Sequence, residues 1–342
     1  MKGIQSGTDI PHYKGIAMKI KYGQIGVGHA HASKMSVYRQ SPDWEVVGVA
    51  EPNAKLREQA ERDPIYRGLK FMSKEELLNT PGLQVIGVET RVRDLLNTAE
   101  ECIAAGKHIH LDKPAGESLP QFKRLLDEAA KKHLVVQMGY MFRYSPAVLM
   151  LREFLKHGWL GEVYEIHTLM SKAIGDSQRK ELAEYPGGIM FELACHVIDL
   201  VIGVLGKPDK VHAFARKVGP QDDTHLDNQL AVFEYPKAIA SVKAASVEID
   251  GGDRRHLVVC GTQGTFHIQP LDAPNVRFTL NQPRGKYGKG YQDARFGNYP
   301  RYVGDAADLA KIVRNEKAAD YSYDHDLIVQ EAVLKASGLK TS

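Results

Sequence analysis

The chain has 342 residues, 43% hydrophobic and 25% charged, a globular composition that is too long for one ordinary small core. Its net charge is +3 and no stretch concentrates lysine and arginine, so a nucleic-acid surface is not expected. Cys102, Cys195 and Cys260 stand far apart without a CxxC and no apolar run reaches membrane-spanning length, which disfavours a disulfide framework, a cysteine zinc site and a membrane span.

Residues 1–17 contain no continuous apolar core of a secretory signal and are expected to be a tail ahead of a cytoplasmic protein. From residue 18 to 139 strand and helix patterns alternate. Residues 20–25 can form a buried strand, and Gly26 and Gly28 turn the chain into a helical stretch at Ser33 to Arg39. Trp44 to Ala50 is a second strand, followed by a helix from Ala54 to Arg62 and a short strand at Leu69–Phe71. Ser73 and Glu76 have capping-box spacing for a helix ending near Leu78. Leu83 to Val88 and His108 to Leu111 are further strands, separated by a helix from Arg93 to Ala105 that Gly106 terminates. A helix opening near Pro120 runs to about Lys132 and leads to a sixth strand at Leu134 to Met138. Such alternation predicts an α/β doubly wound parallel sheet, a Rossmann domain over residues 18–139.

Residues 140–342 change character. Strand-like runs at 162–171, 210–217, 229–235, 239–248, 255–260, 265–269 and 276–280 are separated by Gly, Pro and Asp turns. They predict a second, α+β domain built on a large open antiparallel sheet. Two closing helices, Val303 to Arg314 and Leu327 to Ala336, are expected to pack back onto the first domain or the sheet.

Strand, glycine turn and helix N-terminus form a cradle for a diphosphate, because close backbone approach and free N–H groups favour anionic oxygens. An acid about 20 residues on, Glu51, is placed for an adenosine ribose. In a doubly wound sheet the ligand lies at the carboxyl ends of the strands. Gly26, Gly28, His29, Ala30, His31, Glu51, Thr90, Arg91, Asp112 and Lys113 should therefore share one edge. Lys113, after the fifth strand and fixed by Pro114, lies on the nicotinamide side. If residues 189–204 form one helix, Glu192 and His196 stand one turn apart on one face and Asp199 lies close to it. An acid and an imidazole in so apolar a segment need partners.

The glycine turn, the trailing acid, Asp112-Lys113-Pro114 and the Gly187-Gly188…Glu192-x-x-x-His196-x-x-Asp199 pattern together resemble the glucose–fructose oxidoreductase / inositol dehydrogenase (Gfo/Idh/MocA) family. Gly139-Tyr140-Met141-Phe142-Arg143 and Gly261-Thr262-Gln263-Gly264 fit it as well, and the resemblance extends over nearly the whole chain from Met18. It implies a Rossmann domain followed by an open antiparallel sheet carrying the substrate, a dinucleotide cofactor, and Lys113, His196 and Glu192 as the catalytic group. It also implies a homodimer or homotetramer formed through the sheet. Asp112 stands where the family has Glu, Glu192 where one branch has Asp, and Thr90-Arg91 where Thr-Pro is usual.

On this reading the protein is an NAD-dependent oxidoreductase acting on a secondary hydroxyl or ketone of a sugar, sugar acid or cyclitol. His196 receives the hydroxyl proton and Lys113 stabilises the developing alkoxide. Glu51 favours NAD over NADP, since a carboxylate accepts ribose hydroxyls and repels a 2′-phosphate. Arg91, Tyr140, Arg143, Lys172 and His196 are the candidate substrate contacts, and His167 is a further cation candidate for an acidic sugar. Two alternatives remain open: a redox-assisted glycosidase or lyase, and a non-catalytic dinucleotide-sensing regulator. His29-Ala30-His31 and His108-Ile109-His110 have zinc-seed spacing. The first pair lies in the phosphate turn and the second has only Asp112 near it, so no metal is expected.

Overall fold

A computed structural model describes residues 18–219, 222–297 and 299–342, so the expected tail at 1–17 lies outside the described residues. The first sheet has six parallel strands: β1 (Ile20–Ile25), β2 (Trp44–Ala50), β3 (Phe71–Met72), β4 (Leu83–Val88), β5 (His108–Leu111) and β6 (Val136–Met138), in the order β3-β2-β1-β4-β5-β6. The order reverses between β1 and β4, where a doubly wound sheet opens its ligand crevice. Helices Val92–Ala104 and Leu119–Lys131 bury Leu95, Ala99, Phe122 and Leu125 against the sheet. The capping box at Ser73 and Glu76 is present with both hydrogen bonds.

The second sheet has eight strands: β7 (Val163–Leu169), β8 (Lys210–Arg216), β9 (Asn228–Glu234), β10 (Ile239–Ala245), β11 (His256–Gly261), β12 (Gly264–Ile268), β13 (Asn275–Leu280) and β14 (Gly290–Arg295). Their order is β14-β13-β12-β11-β7-β10-β9-β8. This is the large open antiparallel sheet expected, with one parallel pair, β7 and β10, within it. After β7 the chain leaves the sheet through a helical layer, returns at the β8 edge, and works back by hairpins, so β10 reaches β7 running the same way.

Alternate residues on this sheet, Ile166, Phe233, Val242, Val259, Phe266 and Phe278, are buried under the helices at 146–156, 195–205 and 323–336. The other face carries exposed Phe214, Ile239 and Tyr291. Helix Val303–Val313 joins a cluster with Tyr22, Met35, Tyr38 and Trp44 beside the first sheet, and the Trp44 indole donates to the Ala306 carbonyl at 3.2 Å. Helix Tyr323–Ala336 reaches the loop after β5: Gln330 accepts from the Ala115 N–H at 3.0 Å and donates to the Gly116 carbonyl at 2.6 Å. The two halves are thereby tied together next to Lys113.

Candidate active site

The turn after β1 crosses the end of β4 with no room for a side chain. Gly26 has φ of +95°, and a Cβ there would lie 2.5 Å from the Glu89 carbonyl carbon and the Thr90 nitrogen. Glycine alone meets both demands. Glu51, at the end of β2, accepts from the Val27 N–H and the Asn53 N–H, each at 2.8 Å, which fixes its carboxylate beside the turn. A cavity of about 500 Å³ runs from Gly28 past Glu51, Asn53 and Leu56 to Thr90, Arg91 and Asn97. Within hydrogen-bonding reach of such a groove, Thr90 keeps a buried hydroxyl without a partner. These features fit a dinucleotide laid across the carboxyl edge of the sheet.

At the inner end of this edge, Lys113 follows β5 with a cis bond to Pro114. Its Nζ is buried and donates to the Glu192 carbonyl at 2.7 Å, with the Glu192 Oε1 at 3.5 Å. Burial disfavours the ammonium, but the Glu192 carboxylate, with Cys195 and Asp112 behind it, outweighs that and holds the Lys113 pKa above its ordinary value. Lys113 is a charged donor. Glu192 lies between Lys113 and the Lys172 Nζ at 3.6 Å, and although burial pushes its carboxyl up, the two lysines bring it down to about 2.

His196 is buried, with the rings of His31, Phe142 and Tyr140 at 5.5, 5.4 and 6.1 Å. Burial, and then the charge of Lys113, hold its pKa well below the usual imidazole range, so the ring is a neutral proton acceptor at pH 7. Its Nδ1 has no hydrogen-bond partner. Residues 189–204 do not form the single helix expected. One segment, Gly188–Glu192, ends before a second, Cys195–Leu205, begins. The first is seated so tightly that a Cβ at Gly188 would lie 2.3 Å from the Leu226 carbonyl oxygen. The break turns the Glu192 carboxylate to the lysines instead of stacking it over His196.

Three expected substrate cations are elsewhere. Arg143 is buried, and its guanidinium pairs with Asp199 and Asp326, each at 2.6 Å, over the Tyr321 ring. Asp199 accordingly belongs to this ion pair and not to the catalytic face. Burial raises its carboxyl, and Arg143 and His325 overcome that and hold it below the usual range. Arg91 caps the helix at 92–104 and lines the cavity beside Gly28, 3.8 Å from Glu184, away from Lys113. His167 alternates with inward-facing Ile166 and Thr168, so it lies on the opposite face of the sheet, against His256. Tyr140 packs beneath His196 and over Arg143, and of the cations named from sequence Lys172 joins the cluster.

Sequence reasoning missed a buried polar group under the turn. Lys34 pairs with Glu89 at 2.7 Å and with the His110 Nε2 at 2.8 Å, and His110 continues to Gln137. The usable signal was Glu89, directly after the mostly apolar strand β4, with His110 inside β5, two polar groups in buried surroundings that need a partner. His29 and His31 both turn their Nδ1 atoms to Asp112. Ala30 opens a short 3-10 turn that carries them.

Residues 20–140 match a family model described as an oxidoreductase family with an NAD-binding Rossmann fold, and residues 148–267 match the GFO/IDH/MocA C-terminal domain. The chain is 27% identical over 304 residues to the uncharacterized oxidoreductase YhhX of Escherichia coli, covering 86% of this chain and 83% of that one. It is 26% identical over 257 residues to trans-1,2-dihydrobenzene-1,2-diol dehydrogenase of Sus scrofa, covering 73% and 74%. Among solved structures, the UDP-N-acetylglucosamine 3-dehydrogenase GnnA of Acidithiobacillus ferrooxidans shares the fold with a TM-score of 0.76 at 18% identity, over 94% of this chain and 97% of that one.

Proposed function

The chain belongs to the Gfo/Idh/MocA family of oxidoreductases with an NAD-binding Rossmann fold, and from that premise we propose that it moves a hydride between NAD and a secondary carbinol of a cyclic polyol or sugar. The observation that carries the reading is the ion pair of Lys113, from the first sheet, with Glu192, from the second half, with His196 beside His31 at the same inner end of the cofactor edge. A carbinol gives up hydride only if its hydroxyl proton also leaves. His196, held neutral, takes that proton. Lys113, held charged, donates to the same oxygen and stabilises the developing alkoxide. Glu192 fixes Lys113 and Lys172 and offers an acceptor to a neighbouring substrate hydroxyl. Nicotinamide, when bound, supplies the hydride acceptor.

The names of the pig relative and of the structural neighbour both denote oxidation of a ring substrate, which supports the carbinol class. Glu192 opposes Lys172, and Arg91 and Arg143 are paired elsewhere; this balance supports a neutral polyol over a sugar acid. NAD over NADP rests on the Glu51 carboxylate, held by two N–H groups at the ribose end of the cavity. Exposed Phe214, Ile239 and Tyr291 on the outer sheet face support a homodimer or homotetramer joined there. The test is a panel of polyols, sugars and uronates followed by absorbance of the reduced cofactor, with NAD and NADP side by side. Turnover of ring polyols with NAD supports the reading. Cofactor binding without turnover across the panel refutes it.

A further inference from the structure

We propose that His29, His31 and Asp112 form a binding site for a divalent transition-metal ion of the zinc class. Their ligand atoms all lie within 4.8 Å of one another, two from the turn after β1 and one from the end of β5. Two imidazoles and a carboxylate are a donor set suited to zinc, and three protein ligands leave a coordination position open.

The hydrogen bonding at the site points to a cation. The His31 N–H donates to the His29 Nδ1 at 3.3 Å, so that nitrogen presents a lone pair. The same Nδ1 contacts the Asp112 Oδ2, another acceptor, and Oδ2 is a buried carboxylate oxygen with no hydrogen-bond partner. A hydrogen on the imidazole or a bound cation must bridge these two atoms, and the second alternative is the one proposed. The second oxygen, Oδ1, takes the Lys113 N–H at 2.8 Å and lies 2.9 Å from the His31 Nδ1, so the carboxylate is oriented from behind in the manner of a metal ligand. Lys34 lies 3.9 Å from Oδ1, but Glu89 and His110 engage its ammonium at 2.7 and 2.8 Å. Sequence spacing alone could not show that Asp112 serves the histidines of the turn and not those of its own strand.

His31 also occupies the place of the third glycine in the phosphate-turn fingerprint, where a ring is costly unless it has a task. Its ring lies 5.5 Å from that of His196, so an ion held here would lie beside the catalytic histidine.

The full-length protein, dialysed against a chelator, is titrated with Co²⁺ by visible absorption and with Zn²⁺ against a chromophoric competitor. The proposal expects one ion per chain, and Zn²⁺ affinity at least ~10-fold weaker in His31→Gly and in His29→Gln. His108→Ala should bind as the parent does, and melting curves show that each variant is folded. Absence of saturable Co²⁺ absorption in the parent, or less than a twofold change in both folded histidine variants, overturns it. Neither readout requires turnover, so this result is independent of the dehydrogenase assignment.

Discussion

Replacing Lys113 by Met removes the ammonium while keeping the length of the side chain. Two consequences follow from the geometry. The alkoxide loses its charged donor, which lowers kcat/KM by ~10²-fold or more, equivalent to about 2.7 kcal/mol of transition-state stabilisation. His196 also loses the largest influence after burial that depresses its pKa; burial, His31 and Arg255 remain, but the Lys113 charge is gone. Its pKa therefore rises toward the ordinary value, and the acid limb of the kcat/KM profile for carbinol oxidation moves to higher pH. Glu192 retains Lys172 as a partner, so the fold should survive. Initial rates from pH 4.5 to 9 at saturating NAD measure both effects. A rate within threefold of the parent, or an acid limb that stays put or moves down, refutes the argument that the amine and the imidazole act on one oxygen.

Arg143→Met leaves buried Asp326 without its cation and Asp199 with His325 alone, and should cost ~3–5 kcal/mol in urea unfolding. The folded-state pKa of Asp199 is depressed, so its contribution is present above the unfolded value of about 3.9 and is lost as pH falls through the folded one. The gap between parent and variant should narrow in acid; a gap below 1 kcal/mol at pH 7 contradicts the structural assignment. Gly26→Ala, at φ of +95° and 2.5 Å from the Glu89 backbone, should weaken NADH binding by ~10-fold or more in a fluorescence titration. Unchanged affinity would remove the turn from the cofactor site. Glu51→Gln removes the charge that opposes a 2′-phosphate and should raise affinity for NADPH relative to NADH by ~10-fold; an unchanged ratio places the discrimination elsewhere.

The first sheet is largely legible because each element is locally specified. Leu83–Val88 is a mostly apolar run, His108–Leu111 leads straight into Asp112-Lys113-Pro114, and Ser73 with Glu76 announces a helix start. Strand Gly290–Arg295 is not legible: it is an edge strand paired with β13 alone, and none of its side chains is buried. The parallel β7–β10 pair escapes notice because pairing direction depends on where the chain re-enters the sheet, which no local pattern encodes. At the site, Lys113 and His196 stand out as chemistry in unexpected surroundings, whereas the partner of each charge does not. Arg143 looks like a substrate cation until Asp326, 183 residues away, is seen to hold it. The break after Glu192 has no local marker either, and the close seating of Gly188 against Leu226 is a contact across the fold.

The most direct measurement follows deuterium from the carbinol carbon of a ring polyol that the panel shows to be turned over. With NAD present, reduced nicotinamide should carry the label in the parent enzyme, and His196→Asn should lose the transfer while still binding NADH. Label that is released to solvent, cleavage of the substrate without reduced cofactor, or undiminished transfer in the His196 variant would contradict direct hydride transfer assisted by Lys113 and His196.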